Sequence, residues 1–166
     1  IVNSRVIGVF VGGLLGGPLV GFLSGLIAGC HRYLIDIGGF TALACSLSTL
    51  TEGIMAGFLK KKFENSRYKI SFALIAGCLA EVIQMIIILL VAKPYSAALE
   101  LVKIIGIPMI VANGLGIAAF IAITDSIFKE IENEAVYQAQ LALKIADMTL
   151  PYFRKGFYEE TALDAA

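Results

Sequence analysis

Apolar residues occur in long runs along this chain, and short polar segments separate the runs. Three of the runs cover residues 40–59, 70–92 and 101–124, and each contains at least 20 residues. A helix of about 20 apolar residues spans the hydrocarbon core of a bilayer, which is about 30 Å thick. The pattern therefore predicts three membrane-spanning helices at these positions.

The first apolar stretch predicts two helices. Residues 6–27 are long enough for a single span, but two glycines and a proline lie in the middle, at Gly16–Pro18. Proline lacks a backbone donor and clashes with the preceding turn, whereas it suits the first position of a new helix. We predict a short helix over about 4–16 and a second from 18 to about 34. The fold class is then an all-α, polytopic membrane bundle of five transmembrane helices, of which the first is short.

The chain changes character after residue 124. Charged residues become frequent, and apolar residues recur at loosely helical spacing, at Ile127, Ile131, Ala135, Leu141, Ile145 and Met148. This pattern predicts an amphipathic helix. We expect residues 1–124 to form the transmembrane domain and 125–166 to form a cytoplasmic linker helix and the start of a further domain. The chain begins at Ile1 without Met, so we expect a segment of a longer protein.

Composition and charge agree with a membrane protein and suggest its orientation. The chain is 58% hydrophobic and 16% charged, and its net charge of zero gives no argument for binding nucleic acid. Five basic residues cluster between the third and fourth predicted helices, at Lys60, Lys61, Lys62, Arg67 and Lys69. Basic loops remain in the cytoplasm, so residues 60–69 and the C-terminus are predicted to be cytoplasmic. Arg5 and Arg32 then lie together on the outer side.

The two arginines are the main candidates for binding a ligand. Ionisable groups at the edge of a span are costly and often functional, although a single arginine can also extend to the interface. The guanidinium fork matches a carboxylate or a phosphate, so a small extracellular anion is the predicted ligand. Glycines spaced by four precede Arg32 and permit close helix packing around a small cavity. Cys45 and Ser48, three residues apart on one helix face, lie at the depth that Arg32 can reach.

Further polar residues interrupt the fourth and fifth predicted spans. Glu81 and Gln84 are three residues apart, and Asn113 follows in the next span. We regard them as secondary candidates for ligand contact. His31 is the single histidine and has no carboxylate or thiol at ligand spacing, so we predict no metal site. The chain contains no catalytic triad order, Walker loop or catalytic carboxylate pair, so we predict no catalytic residues in this segment.

Three long segments resemble a known receptor domain. The segments NSRVIGVFVGGLLGGPLVGFLSGLIAGCHRY, GGFTALACSLSTLTEGIMAG and AEVIQMIIILLVAKPYSAALELV are similar to the five-helix receptor domain of LytS-type sensor histidine kinases. The resemblance implies a multi-pass receptor in the bacterial inner membrane. It also implies a homodimer, a downstream GAF domain, an ATP-using kinase domain outside this segment, and a LytTR-type response regulator. Some members of that family are linked to pyruvate, and others to cell-wall hydrolase or membrane-potential responses.

The same resemblance implies that the ligand contacts are made by Arg5, Arg32, Cys45 and Ser48. It implies no cofactor in this segment. One departure is the loop YLIDIGGF, which is longer than usual and adds Asp36 beside the predicted anion site. Two alternatives stay open at this point. The first is a transporter subunit, because the helix break at Gly16–Pro18 and the glycine row that follows also resemble the substrate-capture subunits of energy-coupling-factor vitamin transporters. The second is a purely structural membrane anchor.

Overall fold

The computed structural model describes residues 4–154, and the described chain is helical with short connections and no strand. Five helices follow one another, with the bounds α1 Arg5–Gly16, α2 Pro18–Ile35, α3 Ala42–Glu64, α4 Lys69–Val91 and α5 Tyr95–Arg154. The predicted all-α bundle of five helices is confirmed. By length and composition, α2, α3, α4 and α5 can cross a membrane, whereas α1 is shorter. The 12 residues of α1 extend only about 18 Å.

The chain reverses direction between α1 and α2, as the sequence predicted. Gly17 has φ of 91°, a left-handed conformation that favours glycine, and Pro18 starts α2. The Gly17 N–H donates to the Gly13 carbonyl at 2.8 Å and so caps the end of α1. A Cβ placed on Gly21 would lie 3.2 Å from Cα of Gly13, so α2 returns alongside α1. The two helices form an antiparallel hairpin.

The hairpin defines two ends of the bundle. The lysine end contains the α1–α2 turn and the last turns of α3, because a Cβ on Gly17 would lie 3.3 Å from Cδ of Lys60. The arginine end contains the start of α1, the end of α2 and the start of α3. The α1–α2 turn and the basic end of α3 therefore lie at the same end of the bundle.

Glycines allow α2 to pack on α3 at backbone distance. The buried residues of α2 are Gly21, Gly25 and Gly29, and each faces the α3 backbone. A Cβ on Gly25 would approach the Thr49 carbonyl to 3.1 Å, and one on Gly29 would approach the Ser46 carbonyl to 2.9 Å. Close approach of this kind drives helix association in lipid, where the hydrophobic effect between helices is absent. We call this contact the glycine seam.

Two apolar clusters fill the rest of the bundle. The larger cluster joins α1, α3, α4 and α5 and includes Phe10, Leu14, Ala56, Ala80 and Ile117. The smaller cluster joins α3, α4 and α5 and includes Ala44, Met85, Ile88, Ala98 and Met109. The start of α3 thus shares the smaller cluster with α4 and α5, and α3 also packs against α2 through the glycine seam. Helix α3 consequently packs against α1, α2 and α4.

The chain consists of two compact units, Ile1–Ile123 and Thr124–Ala166. In the described part of the second unit, the predicted linker helix continues from the last span as the C-terminal part of α5. Residues 126–150 contain no glycine or proline to break it. Asp125 and Lys129 form an i,i+4 ion pair at 2.7 Å. The predicted start of a further domain extends into residues 155–166, which lie outside the described residues.

Candidate ligand site at the arginine end

Arg32 is held at the arginine end by two side chains. Its Nη2 donates to Oδ2 of Asp36 at 3.0 Å and to Oγ1 of Thr41 at 3.3 Å. Arg32 is on the last turn of α2, Asp36 directly follows that helix, and Thr41 directly precedes α3. The guanidinium side chain is 16% exposed and the Asp36 side chain 46%. The plane of the guanidinium is therefore fixed, but the group is still open to solvent.

Arg5 and Cys45 lie close to the same point. The Arg5 charge interacts with the Arg32 charge, and both act on the Cys45 thiol. The Cys45 side chain also interacts with the side chains of Thr41 and Arg32. Arg5 begins α1 and Arg32 ends α2, so only the reversal at Gly17 can bring them together. Two like charges at one site repel each other, and a bound anion would relieve that repulsion.

Ser48, the fourth residue of the predicted site, lies one turn deeper. It is fully buried, and its hydroxyl donates to the Cys45 carbonyl at 3.0 Å. The Thr49 hydroxyl donates to the same carbonyl at 2.8 Å. The structure thus places Ser48 on the helix face that carries Cys45, with its donor engaged by the backbone. Its oxygen can still accept a hydrogen bond.

Two helix N-termini add positive potential at this end. Helices α1 and α3 both begin here, and the aligned peptide dipoles of a helix give its N-terminus a partial positive charge. Thr41 is the N-cap of α3, but its hydroxyl makes no cap hydrogen bond and accepts from Arg32 instead. The Ala42 N–H at the start of α3 already donates to the Gly39 carbonyl at 3.0 Å, so the contribution of this helix end is its positive potential rather than a complete set of free amides.

The secondary candidates form a different group inside the bundle. Asn113 Nδ2 donates to Oε1 of Glu81 at 2.6 Å, and Gln84 is one turn further along α4. Glu52 of α3 joins them, because its charge interacts with that of Glu81. All four are at most 1% exposed. We call Glu52, Glu81, Gln84 and Asn113 the buried carboxylate cluster, and no described contact joins it to the arginines.

The sequence did not identify Glu52 of the buried carboxylate cluster or Thr41 of the arginine end as site residues. Glu52 belongs to the face of α3 that carries Cys45, Ser48 and Thr49, and its spacing of seven from Cys45 was the available signal. Thr41 gave only the weak signal of a hydroxyl residue ahead of an apolar helix. His31 is exposed, and residues 4–154 contain no group of three or more His, Cys, Asp or Glu side chains that could hold a metal ion.

Comparison with known proteins places the chain in a family. The family model described as 5TMR of 5TMR-LYT matches residues 1–127. The chain belongs to this family. It is 44% identical over its whole length to Sensor protein LytS of Bacillus subtilis strain 168. It is also 40% identical to two Escherichia coli K12 proteins, Sensor histidine kinase BtsS over the whole chain and Sensor histidine kinase YpdA over 93% of it.

The chain spans less than a third of these relatives. It covers 28% of the Bacillus LytS protein, 30% of BtsS and 27% of YpdA. No solved structure matches the chain at a significant level. The matched region is the membrane sensory domain of LytS-type sensor proteins, which confirms the resemblance seen in the sequence. The transporter-subunit alternative receives no support from these comparisons.

Proposed function

We propose that this chain is the sensory domain of a sensor histidine kinase that binds a small extracellular carboxylate, such as pyruvate, at the arginine end. The observation that carries the proposal is that Arg5, Arg32 and the Cys45 thiol, all partly buried, interact with one another at the arginine end. The site is small, because the glycine seam holds α2 directly against α3. A short anion with few atoms fits such a site better than a large metabolite does.

The hydrogen bonds of Arg32 suggest how the anion is held. Both described bonds to Asp36 and Thr41 leave from Nη2, and the planar guanidinium carries further N–H donors on Nε and Nη1 in the fork geometry that matches a carboxylate. Arg5 supplies the second positive charge, and Cys45 lies beside both for the remaining polar atoms of the ligand. Ser48 is available as an acceptor one turn below. Asp36 opposes anion binding, because its carboxylate already neutralises part of the Arg32 charge.

The arginine end faces outward in this proposal. Lys60, Lys61 and Lys62 lie at the opposite end, and the positive-inside rule assigns such clusters to the cytoplasm. Residues 60–69 and the C-terminal part of α5 are then cytoplasmic in a bacterial inner membrane. Ligand binding would change the packing of the apolar clusters that α3 shares with α5, and α5 leads toward a kinase domain that uses ATP and phosphorylates a LytTR-type response regulator.

A titration with a matched pair of ligands tests the proposal. The protein in lipid nanodiscs is titrated with pyruvate and with pyruvamide, which has nearly the same shape but no negative charge. Charge-assisted hydrogen bonds are about twice as strong as neutral ones, so we expect saturable binding of pyruvate and none of pyruvamide over the same range. Calorimetry or a ligand-dependent thermal shift gives the readout. Equal binding of both compounds, or of neither, would contradict the proposal.

We also propose that the protein is a homodimer, with contacts along the C-terminal part of α5. Ile131, Leu141, Ile145 and Met148 are exposed there, and their spacing is close to that of a coiled-coil seam. Light scattering in detergent should give twice the protomer mass, and Ile131→Glu should lower it. The neighbouring Glu130→Gln should have no effect, and a monomeric parent protein would contradict this proposal.

A further inference from the structure

The buried carboxylate cluster contains oxygen atoms that no donor satisfies. Both carboxylate oxygens of Glu52, Oε2 of Glu81 and Oε1 of Gln84 have no hydrogen-bond partner within the described chain. Each of these residues is at most 1% exposed. Buried acceptors are normally hydrogen-bonded, because an unsatisfied one costs free energy. Four unsatisfied oxygens in one bundle interior therefore require an explanation.

The two carboxyl groups of the cluster have no basic residue on the surrounding helix segments. Residues 6–16 of α1, 18–30 of α2 and 104–124 of α5 contain no charged residue. Within 42–59 of α3 and 70–92 of α4, Glu52 and Glu81 are the only charged residues, and they act on each other. The other titratable groups on these segments are three thiols. Cys78 of α4 contacts the Ile110 carbonyl. Cys45 belongs to the arginine end, and Cys30 is exposed.

The helix register places the oxygens in one region. Glu52 of α3 is near enough to Glu81 of α4 for the two carboxyl groups to interact electrostatically, and Glu81 accepts a hydrogen bond from Asn113 of α5. Gln84 is three residues after Glu81 and shares its helix face. Three helices thus direct oxygen-bearing side chains to the same depth, near the place where Gly53 meets Gly21 in the glycine seam.

We propose that the buried carboxylate cluster is an intramembrane cation site, occupied by Na⁺ or by protons. Hard cations take oxygen ligands, and carboxylates inside a membrane bundle are retained at ion and proton sites. Either cation supplies what the described chain lacks, since Na⁺ coordinates the free oxygens and a proton converts one of them into a donor. The site lies beyond the proposed carboxylate site and does not depend on it.

The position of Glu52 gives the site a route to the arginine end. Seven residues of α3 separate Glu52 from Cys45, which is about 10 Å along the helix. The two sites therefore share one face of one helix, and a rigid α3 transmits a shift at either site to the other. Occupancy of the cation site would then make the position of α3, the helix that contacts the ligand, depend on the concentration of Na⁺ or of protons.

Thermal unfolding tests the cation site without any carboxylate ligand. The protein in nanodiscs is unfolded at increasing Na⁺, with N-methylglucamine holding ionic strength constant, and separately at decreasing pH without Na⁺. A bound cation stabilises the folded state by mass action, so we expect a rise of roughly 3–6 °C per tenfold increase in the cation that binds. A rise with Na⁺ identifies sodium, and a rise with acid alone identifies protons.

Conservative variants connect that dependence to the cluster. Glu52→Gln keeps the size of the side chain and removes its charge, so the dependence should disappear. Glu100→Gln removes an exposed carboxylate from α5 and should leave the dependence unchanged. The proposal is overturned if the parent protein responds to neither cation, or if Glu52→Gln responds fully.

A chemical label covers the case in which Glu52→Gln does not fold. Dicyclohexylcarbodiimide enters membranes and modifies protonated buried carboxyl groups, and mass spectrometry locates the modification in the parent protein. Modification of Glu52 or Glu81 that Na⁺ suppresses supports sodium. Modification that acid increases and Na⁺ leaves unchanged supports protons. Absence of modification at both residues under all conditions overturns the proposal.

Discussion

Replacement of Arg32 by alanine is expected to reduce pyruvate affinity by about 30-fold or more. Truncating one partner of a partly desolvated, hydrogen-bonded charge pair costs about 2–5 kcal/mol, and 2 kcal/mol corresponds to about 30-fold. The Arg32 side chain is 16% exposed, so solvent screens it less than a surface arginine. Calorimetric titration of the variant in nanodiscs measures the loss. Arg5→Ala should weaken binding in the same direction.

Asp36→Asn provides the matched control for this prediction. It removes the ion pair at 3.0 Å but leaves the guanidinium, Thr41 and the end of α2 in place. Because Asp36 competes with the ligand for the Arg32 charge, affinity should stay the same or rise a few-fold. Its own side chain is 46% exposed, so the gain should remain below about 1 kcal/mol. Full affinity in both Arg32→Ala and Arg5→Ala would contradict the proposed site.

Replacement of Gly21 by alanine is expected to destabilise the bundle by at least about 1–3 kcal/mol. The added Cβ would collide with the carbonyl oxygen of Gly53. The approach is equally close in the other direction, because a Cβ placed on Gly53 would collide with the carbonyl oxygen of Gly21. The obstacle is backbone on both sides, so no side-chain rotation can relieve it. Helix α2 must move away from α3, and the contacts of Gly25 and Gly29 are lost with it. Thermal or denaturant unfolding in nanodiscs measures the change.

Gly8→Ala adds the same methyl group at a place where it meets nothing. A Cβ on Gly8 has no neighbouring atom within 4 Å, and alanine favours a helix over glycine by about 1 kcal/mol. The control should therefore be neutral or slightly stabilising. Equal stability of the Gly21→Ala and Gly8→Ala variants would show that the glycine seam does not hold α2 in place.

The helices and the reversal could be predicted from sequence because each depends on local chemistry. A proline after two glycines ends one helix and starts the next wherever it occurs, and apolar runs of 20 residues or more indicate spans without reference to neighbours. The shared end of Arg5 and Arg32 followed from the same reversal. The binding roles of Arg5, Arg32, Cys45 and Ser48 remain predictions, as do those of Glu81, Gln84 and Asn113.

The pairings within the site could not be predicted, because they depend on how helices rotate against each other. Thr41 is an ordinary N-cap residue in the sequence, and it receives Arg32 only because α2 ends beside the start of α3. Asp36 was visible as an extra acid, but its ion pair with Arg32 required the last turn of α2 to be in place. In the sequence Glu52 is one polar residue among several in its helix, and only the packed structure shows that it interacts with Glu81 of α4.

By itself the sequence determined the number of helices, the turn at Gly16–Pro18, the family, and the presence of arginines at one end of the chain's hairpin. Tertiary structure alone decided that three glycines of α2 meet the backbone of α3, and that two carboxylates share a buried region. The physical reason is the range of the forces involved. Backbone conformation and partition into lipid depend on neighbouring residues, whereas steric fit and buried charge depend on residues that only packing brings together.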